Sequence, residues 1–155
     1  MPALPTIQDN LRRSFEGDAW HGPAMMEILK GVSAKQAAAR PIPNAHSIWE
    51  LVLHVTTWQS VVVRRLKGEA YDPSPAQDYP PISDKSAAAW EHDLATLRHV
   101  HAELNAAVDR LPESRLTEIV PGAKYTIEFM LQGVIQHDLY HAGQMAILKK
   151  ALQNQ

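Results

Sequence analysis

Two histidines, His137 and His141, stand four residues apart in a segment that otherwise has the apolar pattern of a core helix. Residues at positions i and i+4 lie on one face of a helix, one turn apart. Both imidazoles could therefore reach the same ion, and paired histidines on a helix recur in zinc sites for this reason. The pair predicts a metal site, although this spacing also occurs often without a metal.

A third candidate ligand, His54, lies far upstream in another strongly helical segment, on the same side as Leu51, Val55 and Trp58. His137 and His141 likewise occupy positions where the helical pattern calls for apolar residues. A buried polar group without a partner costs roughly 1–3 kcal/mol, and one shared metal ion would offset that cost for all three imidazoles. We therefore predict that His54, His137 and His141 are ligands of one metal ion.

Three histidines leave one position of a tetrahedral zinc site open, which is typical of a catalytic site and not of a structural one. Nickel, iron(II) or cobalt would also accept this set of ligands. The chain contains no cysteine, so no protein thiolate can bind the metal or act as a nucleophile. The alternative interpretation is that each histidine is a packed core residue, bonded to a backbone carbonyl or to water.

Apolar periodicity and capping sequences predict four long helices and two short ones. The short helices, near residues 23–29 and 33–40, lie in the connection before the second long helix. The chain is therefore predicted to be an all-α four-helix bundle in which residues 1–155 form a single domain. The long helices are predicted to run from Thr6 to Gly17, from Ser47 to about Lys67, from Ser83 or Asp84 to the residue before Pro112, and from Thr126 to about Leu152.

Several residues outside the three histidines receive weaker predictions. The loop 70–82 contains four prolines and is expected to hold no regular helix. Asp138 is expected to be solvated or, at most, to support a ligand from outside. Glu50 could approach the metal, but its place in a capping box gives it a sufficient local role. His101 is expected to be a core or boundary residue, and Trp20 to pack beside the loop residue His21.

The composition is that of an ordinary globular protein, with 45% hydrophobic residues, 21% charged residues and a net charge of -2. A basic face for nucleic acid is not expected, and no apolar run approaches the roughly 20 residues of a membrane span. The first residues lack a basic region followed by an apolar core, so no signal peptide is expected. We expect a cytoplasmic protein whose partner is a small-molecule substrate.

Two segments resemble one known family: residues 48–55, which contain His54, and residues 137–144, which begin with the paired histidines. Residues 20–23 and 29–33 are similar to it as well. The family is the DinB-like, or YfiT-like, group of metal-dependent four-helix bundles, and the resemblance covers nearly the whole chain. It implies an up-down-down-up bundle, often a homodimer, in which histidines at positions 54, 137 and 141 hold zinc or nickel.

The resemblance also implies chemistry that uses a low-molecular-weight thiol, because characterised relatives are bacillithiol S-transferases and mycothiol-dependent isomerases. The resulting hypothesis is a divalent-metal-dependent enzyme that transfers such a thiol to a small electrophile. A metal-dependent hydrolase remains an alternative, since a metal with an open position also activates water. Further alternatives are a metal-binding or stress-response protein without turnover, and a bundle whose histidines are merely packed. No catalytic or thiol-binding residue can be assigned from the sequence.

Overall fold

The structure, a computed structural model, describes residues 3–153 of the chain. Within this range the protein is all-helical, with no strand beyond an isolated bridge between Ile119 and Thr126. The predicted all-α class is therefore confirmed, with four long helices and short ones between them. The helices are α1 (Ala3–Phe15), α2 (Met25–Leu29), α3 (Ala34–Ala38), α4 (Ile48–Leu66), α5 (Pro75–Asp78), α6 (Ala87–Asp109) and α7 (Ile127–Gln153), with a 3₁₀ helix at Glu113–Thr117.

Side-chain hydrogen bonds fix the relative directions of the long helices. The indole of Trp49 donates to Asp93, which joins the N-terminal parts of α4 and α6 and makes them parallel. Arg65, near the end of α4, bonds to Tyr125 just before α7, so these two helices are antiparallel. Gln8 in α1 bonds to Asp109, the last residue of α6, whereas Phe15 at the end of α1 stacks on His101 earlier in α6, so that pair is antiparallel. The predicted up-down-down-up order is confirmed.

Helix α4 positions the first histidine, and its ends follow from local sequence. Ser47 Oγ accepts from the backbone N–H of Glu50 at 3.2 Å, while the Glu50 carboxylate accepts from the Ser47 N–H at 2.7 Å. This reciprocal capping box satisfies two backbone donors that the first turn leaves open. Gly68, just after the helix, has φ +95°, a backbone conformation that favours glycine. Glu50 also pairs with Arg40, so it is not directed at the histidines.

Two predicted helix starts are wrong. Helix α1 begins at Ala3 and not at Thr6, because Pro5 falls in the first turn, where its missing N–H has no helical partner to lose. Helix α6 begins after Ser86, whose hydroxyl accepts from the N–H of Ala89 at 3.1 Å. Asp84 instead accepts from the N–H of Ser86, and that local turn precedes the helix.

The proline-rich loop contains one helical turn that was not predicted, α5. Pro75 occupies its first position, where proline is well tolerated, and Ser74 precedes it. The hydroxyl of Thr57 on α4 donates to the carbonyl of Gln77 at 3.0 Å, which fastens the turn to the bundle. None of the helices within residues 3–153 is long and apolar enough to cross a membrane.

His101 lies in the core of the bundle, 2% exposed, with its ring stacked on Phe15 at 3.7 Å between centroids. Neither of its ring nitrogens has a hydrogen-bond partner among the described residues. Burial lowers the pKa of His101 to about 4, because the protonated ring would lose its hydration. The folded protein therefore keeps this histidine neutral at pH values where the unfolded chain protonates it.

This depressed pKa predicts acid sensitivity. Between the unfolded pKa of about 6.5 and the folded value, the unfolded state binds more protons, so stability falls as pH falls. From about pH 7 to about pH 5 we expect His101 to remove about 2 kcal/mol of unfolding free energy. Urea unfolding of the wild type and His101→Leu across this range measures the effect. Identical pH slopes in the two proteins would refute it.

Candidate metal centre

The structure brings together the three histidines that the sequence singles out. One ring nitrogen from each of His54, His137 and His141 lies within 4.8 Å of the other two. The Nε2 atoms of His54 and His137 are 3.0 Å apart. Two nitrogens bound to one tetrahedral zinc ion lie roughly 3.4 Å apart, given metal–nitrogen bonds of about 2.0–2.1 Å. The spacing is therefore of the order that a single ion requires.

Helix geometry and burial produce this convergence. The i,i+4 spacing places two rings on the side of α7 that faces α4, and α4 supplies the third. His54 and His141 are buried, whereas a quarter of the His137 side chain remains exposed. The histidine cluster (His54, His137 and His141) thus has two enclosed rings and one ring that borders open space.

The Nδ1 atom of His54 is hydrogen-bonded to the loop after α4. Its Nδ1 lies 3.0 Å from both the carbonyl oxygen and a carboxylate oxygen of Asp78. Both oxygens are acceptors, so Nδ1 carries the hydrogen and donates it. The same carboxylate accepts from the indole of Trp58 at 2.7 Å. Asp78 therefore fixes the ring so that the lone pair of His54 is on Nε2.

His141 is oriented in the same way by its own helix. Its Nδ1 lies 2.6 Å from the amide oxygen of Gln144, three residues on. This bond places the hydrogen on Nδ1 and leaves Nε2 able to bind an ion. Metal-binding histidines commonly donate the opposite ring N–H to an oxygen in this manner, which fixes the tautomer and the ring direction.

The third ring is accompanied by a buried carboxylate. Asp138 is 0% exposed, and one of its oxygens accepts from the amide of Gln59 at 2.7 Å. Its other oxygen lies 3.7 Å from His137 Nδ1, too long for a hydrogen bond, and neither atom has a partner in the described chain. Burial raises the pKa of Asp138. The prediction of a solvated Asp138 is therefore wrong, because its short side chain points between α4 and α7.

These contacts test whether the residues suit a cation. If Nδ1 of His137 carries a hydrogen toward Asp138, the Nε2 atoms of His54 and His137 face each other with lone pairs at 3.0 Å. That arrangement is repulsive unless a positive ion or a proton lies between them. A divalent cation would also offset the cost of the buried Asp138 carboxylate. The donor set thus fits a metal ion.

Burial favours the neutral form of two rings of the cluster, those of His54 and His141. Burial lowers the pKa of His54, and the nearby imidazole of His137 lowers it further. Burial likewise lowers the pKa of His141, to about 4, against the opposing effect of its bond to Gln144. Only neutral imidazole binds a metal, so the site is ready to take an ion at neutral pH.

Tyr79 contributes to the site in a way that the sequence did not indicate. Its ring stacks on His54 at 4.1 Å and on His46 at 4.0 Å, with interplanar angles of 9° and 8°. It follows Asp78 directly in the proline-rich loop, which therefore supplies both a hydrogen-bond partner and a cover for the cluster. Burial raises the pKa of Tyr79, and the neighbouring Asp78 carboxylate adds to that rise.

Other candidate residues lie elsewhere. Trp20, expected to pack, is fully exposed beside the exposed His21, because the turn before α2 carries both side chains outward. Trp49 is fully buried and bonded to Asp93. Tyr140 is two-thirds exposed, although its ring edge contacts His141.

A pocket of about 270 Å³ adjoins the histidine cluster in the groove between α4 and α7. His137 lines one part of it, which explains why this ring is the most exposed of the three. The walls are almost entirely apolar. The lining residues are Trp58, Val62, Arg65, Tyr125, Phe129, Met130, Gly133, Val134 and His137.

The fold and the site together define a helical bundle with a three-histidine cluster that could bind a metal ion. The chain belongs to the DinB superfamily, whose sequence profile matches residues 19–145. The resemblance drawn from the histidine segments is thus confirmed. No curated protein matches the chain. A crystal structure of a conserved protein from Enterococcus faecalis is similar, with a TM-score of 0.74 and 15% identity over 100% of this chain and 99% of that one. This likeness concerns the fold alone.

The buried carboxylate gives a testable prediction for the site. Asp138→Asn removes the negative charge near His137, so we expect metal affinity to fall by about 10- to 100-fold, as for other partners of metal-bound histidines. Chelator competition with zinc measures the change. Glu103→Gln, an exposed carboxylate on α6, is the matched control. Equal affinity in Asp138→Asn and the wild type would show that this carboxylate does not support the site.

Proposed function

We propose that the protein is a divalent-metal-dependent enzyme that transfers a low-molecular-weight thiol to a small electrophile. The observation that supports it most is the convergence of the three rings, two of them with Nδ1 bonded to an oxygen of Asp78 or Gln144. Such preset tautomers are expected of ligands and are not required of packed histidines. Zinc or nickel suits three imidazoles without a sulfur ligand.

A divalent ion with an open position supplies a charge that lowers the pKa of a thiol bound to it. The residues of the chain would position the ion and exclude water from one side of it. The histidine cluster would hold the ion, Asp78 and Gln144 would keep its rings aligned, and Tyr79 covers one side. Because the protein has no cysteine, the thiol must arrive as a cofactor.

In the proposed reaction the thiol loses its S–H proton and its sulfur forms one bond to an electrophilic carbon of the acceptor. If the acceptor is an aryl halide, the carbon–halogen bond breaks, halide leaves with the electron pair, and the S–H proton passes to solvent. If it is an activated alkene, the carbon next to the new bond takes up the proton. Neither case requires an oxidant or a reductant.

The test is a turnover assay on zinc-loaded and nickel-loaded protein with bacillithiol or mycothiol and 1-chloro-2,4-dinitrobenzene. We expect thioether formation that stops when a chelator removes the metal and is absent in His141→Ala. Stoichiometric metal without turnover for either thiol would contradict the proposal and favour a metal-binding protein. Hydrolysis of an ester without added thiol would favour the hydrolase.

We also propose that the enzyme is a cytoplasmic homodimer. Tyr140 and Ile147 are 66% and 60% exposed and lie seven residues apart on α7, so two large apolar side chains share one exposed face of that helix. Sedimentation equilibrium would test the assembly, with Ile147→Glu expected to yield a monomer. A wild-type mass of a single chain at all concentrations would contradict it.

A further inference from the structure

The apolar groove between α4 and α7 leads from the histidine cluster to a buried arginine. Trp58, Val62 and Arg65 follow one another along α4 at helical spacing, and His137 lies at the end nearest Trp58. Seven residues of helix separate Trp58 from Arg65, which corresponds to roughly 10 Å. The groove is therefore an elongated apolar cavity with an imidazole near one end and a guanidinium at the other.

Arg65 is only 7% exposed, and each of its nitrogens makes one hydrogen bond. The partners are the carbonyl of Tyr71, the hydroxyl of Tyr125 and the carboxylate of Asp72. These bonds use three of the five guanidinium N–H groups, so donors remain for an incoming oxygen. Buried charge is costly unless it is paired, and among residues 3–153 Asp72 is the one carboxylate paired with Arg65.

That carboxylate is poorly placed to hold the charge by itself. The Asp72 side chain is 82% exposed, while the Arg65 side chain is 8% exposed. Water screens the exposed carboxylate, so Asp72 offsets the charge of the buried guanidinium less than an enclosed carboxylate would. An anionic ligand that entered the groove could therefore replace Asp72 as the partner of Arg65.

Gly133 is the lining residue of this groove that has no side chain. It lies in the interior of α7, where glycine costs about 1 kcal/mol relative to alanine. No positive φ requires glycine there, and a Cβ at this position would meet no atom within 4 Å. The space in front of it is the pocket, so the missing side chain widens the groove beside His137.

We infer that the groove binds a small, largely apolar carboxylate, with its carboxylate on Arg65 and Tyr125 and its apolar body along Val62, Met130 and Val134. The volume of about 270 Å³ lies just below the usual range of ligand pockets and suits a small molecule with a single ring and a short chain. The far end of such a molecule would lie beside His137. The inference rests on the proposed function in assigning this ligand as the electrophilic substrate.

The probes are 4-phenylbutyrate and its uncharged counterpart 4-phenylbutanol, titrated by calorimetry into full-length zinc-loaded protein. We expect the carboxylate to bind about ten-fold or more tightly than the alcohol, since hydrogen bonds to charged groups contribute about 1.5–3 kcal/mol. Gly133→Leu should weaken both probes by about ten-fold or more, because its side chain fills the groove. Gly143→Leu on the same helix, exposed and equally free of neighbours, should change neither.

Asp72→Asn is a second variant that leaves the core untouched. It frees Arg65, so affinity for phenylbutyrate should rise roughly two- to five-fold while that for the alcohol stays constant. Equal binding of the two probes, or no effect of Gly133→Leu on either, would overturn the inference. A changed oligomeric state of Gly133→Leu with unchanged probe affinity would also overturn the inference. That result would indicate that the groove is a contact between copies of the chain.

Metal content, measured on the same samples, separates this inference from the proposed function. Probe binding that follows the pattern above in a protein that takes up no zinc would contradict the metal-dependent enzyme and support the carboxylate groove. Full zinc content without selective probe binding would support the metal centre and contradict the groove.

Discussion

Replacing His137 with alanine is expected to lower the affinity for zinc or nickel by more than 100-fold. Loss of an outer hydrogen-bond partner typically costs about 10- to 100-fold in metal affinity, and loss of a ligand should exceed that. The two histidines that remain belong to different helices, α4 and α7, and offer only two nitrogens. The protein is purified without a histidine tag, and bound metal is measured per chain. Chelator competition then gives the metal affinity of the variant and of the wild type.

The matched control is His99→Ala. This histidine is exposed on α6, outside the cluster, so its replacement should leave the metal content at the wild-type level. A ligand that binds only the native state at about 100 times its Kd adds about 2.7 kcal/mol of stability. Zinc should therefore raise the melting temperature of the wild type and of His99→Ala, but not of His137→Ala. Full metal content in His137→Ala would refute the ligand assignment.

Trp90→Ala is expected to cause the largest loss of stability, about 4–5 kcal/mol. The indole is 1% exposed, packs against Trp49 at 5.1 Å between ring centroids, and donates to the carbonyl of Val32 at 2.8 Å. Truncating a buried tryptophan costs about 3–5 kcal/mol through the cavity it leaves, and an orphaned carbonyl adds to that. Since whole domains are stable by about 5–15 kcal/mol, the variant should be close to unfolding.

Trp20→Ala provides the comparison for Trp90→Ala with the same change of side chain. Trp20 is fully exposed, so the loss should stay within about 0.5 kcal/mol, as for other surface substitutions. Urea unfolding of both metal-free proteins separates packing from the effect of a bound ion. Similar midpoints for the two variants would contradict the assignment of Trp90 to the core.

Helical periodicity predicted the buried faces of the long helices because burial dominates the choice of residue there. Trp90, Leu94, Leu97, His101, Leu104, Val108 and Leu111 recur at helical spacing in the sequence, and all seven are buried in the structure. The same pattern identified His54, His137 and His141 as unusual, since they occupy positions on such faces where apolar residues are expected. Convergence of three rings from two helices could be anticipated once α4 and α7 were expected to pack together.

The surroundings of the cluster could not be predicted in the same way. Asp78 and Tyr79 reach His54 through an irregular loop, whose path depends on contacts such as the bond from Trp58 to Asp78. No periodicity describes such a segment. Asp138 and Gln59 are a polar pair across two helices, and a sequence does not reveal whether two such residues meet. The start of α6 lies two or three residues after the predicted one, because Ser86 and not Ser83 or Asp84 caps the helix.

We expect His54, His137 and His141 to bind one divalent ion. Anomalous diffraction from crystals of zinc-loaded protein, collected on both sides of the zinc absorption edge, measures this without an activity assay. The expected result is one strong anomalous peak between α4 and α7, about 2.0–2.1 Å from a nitrogen of each ring. Zinc-loaded crystals without a peak there, or with zinc bound only to residues outside the cluster, would contradict it.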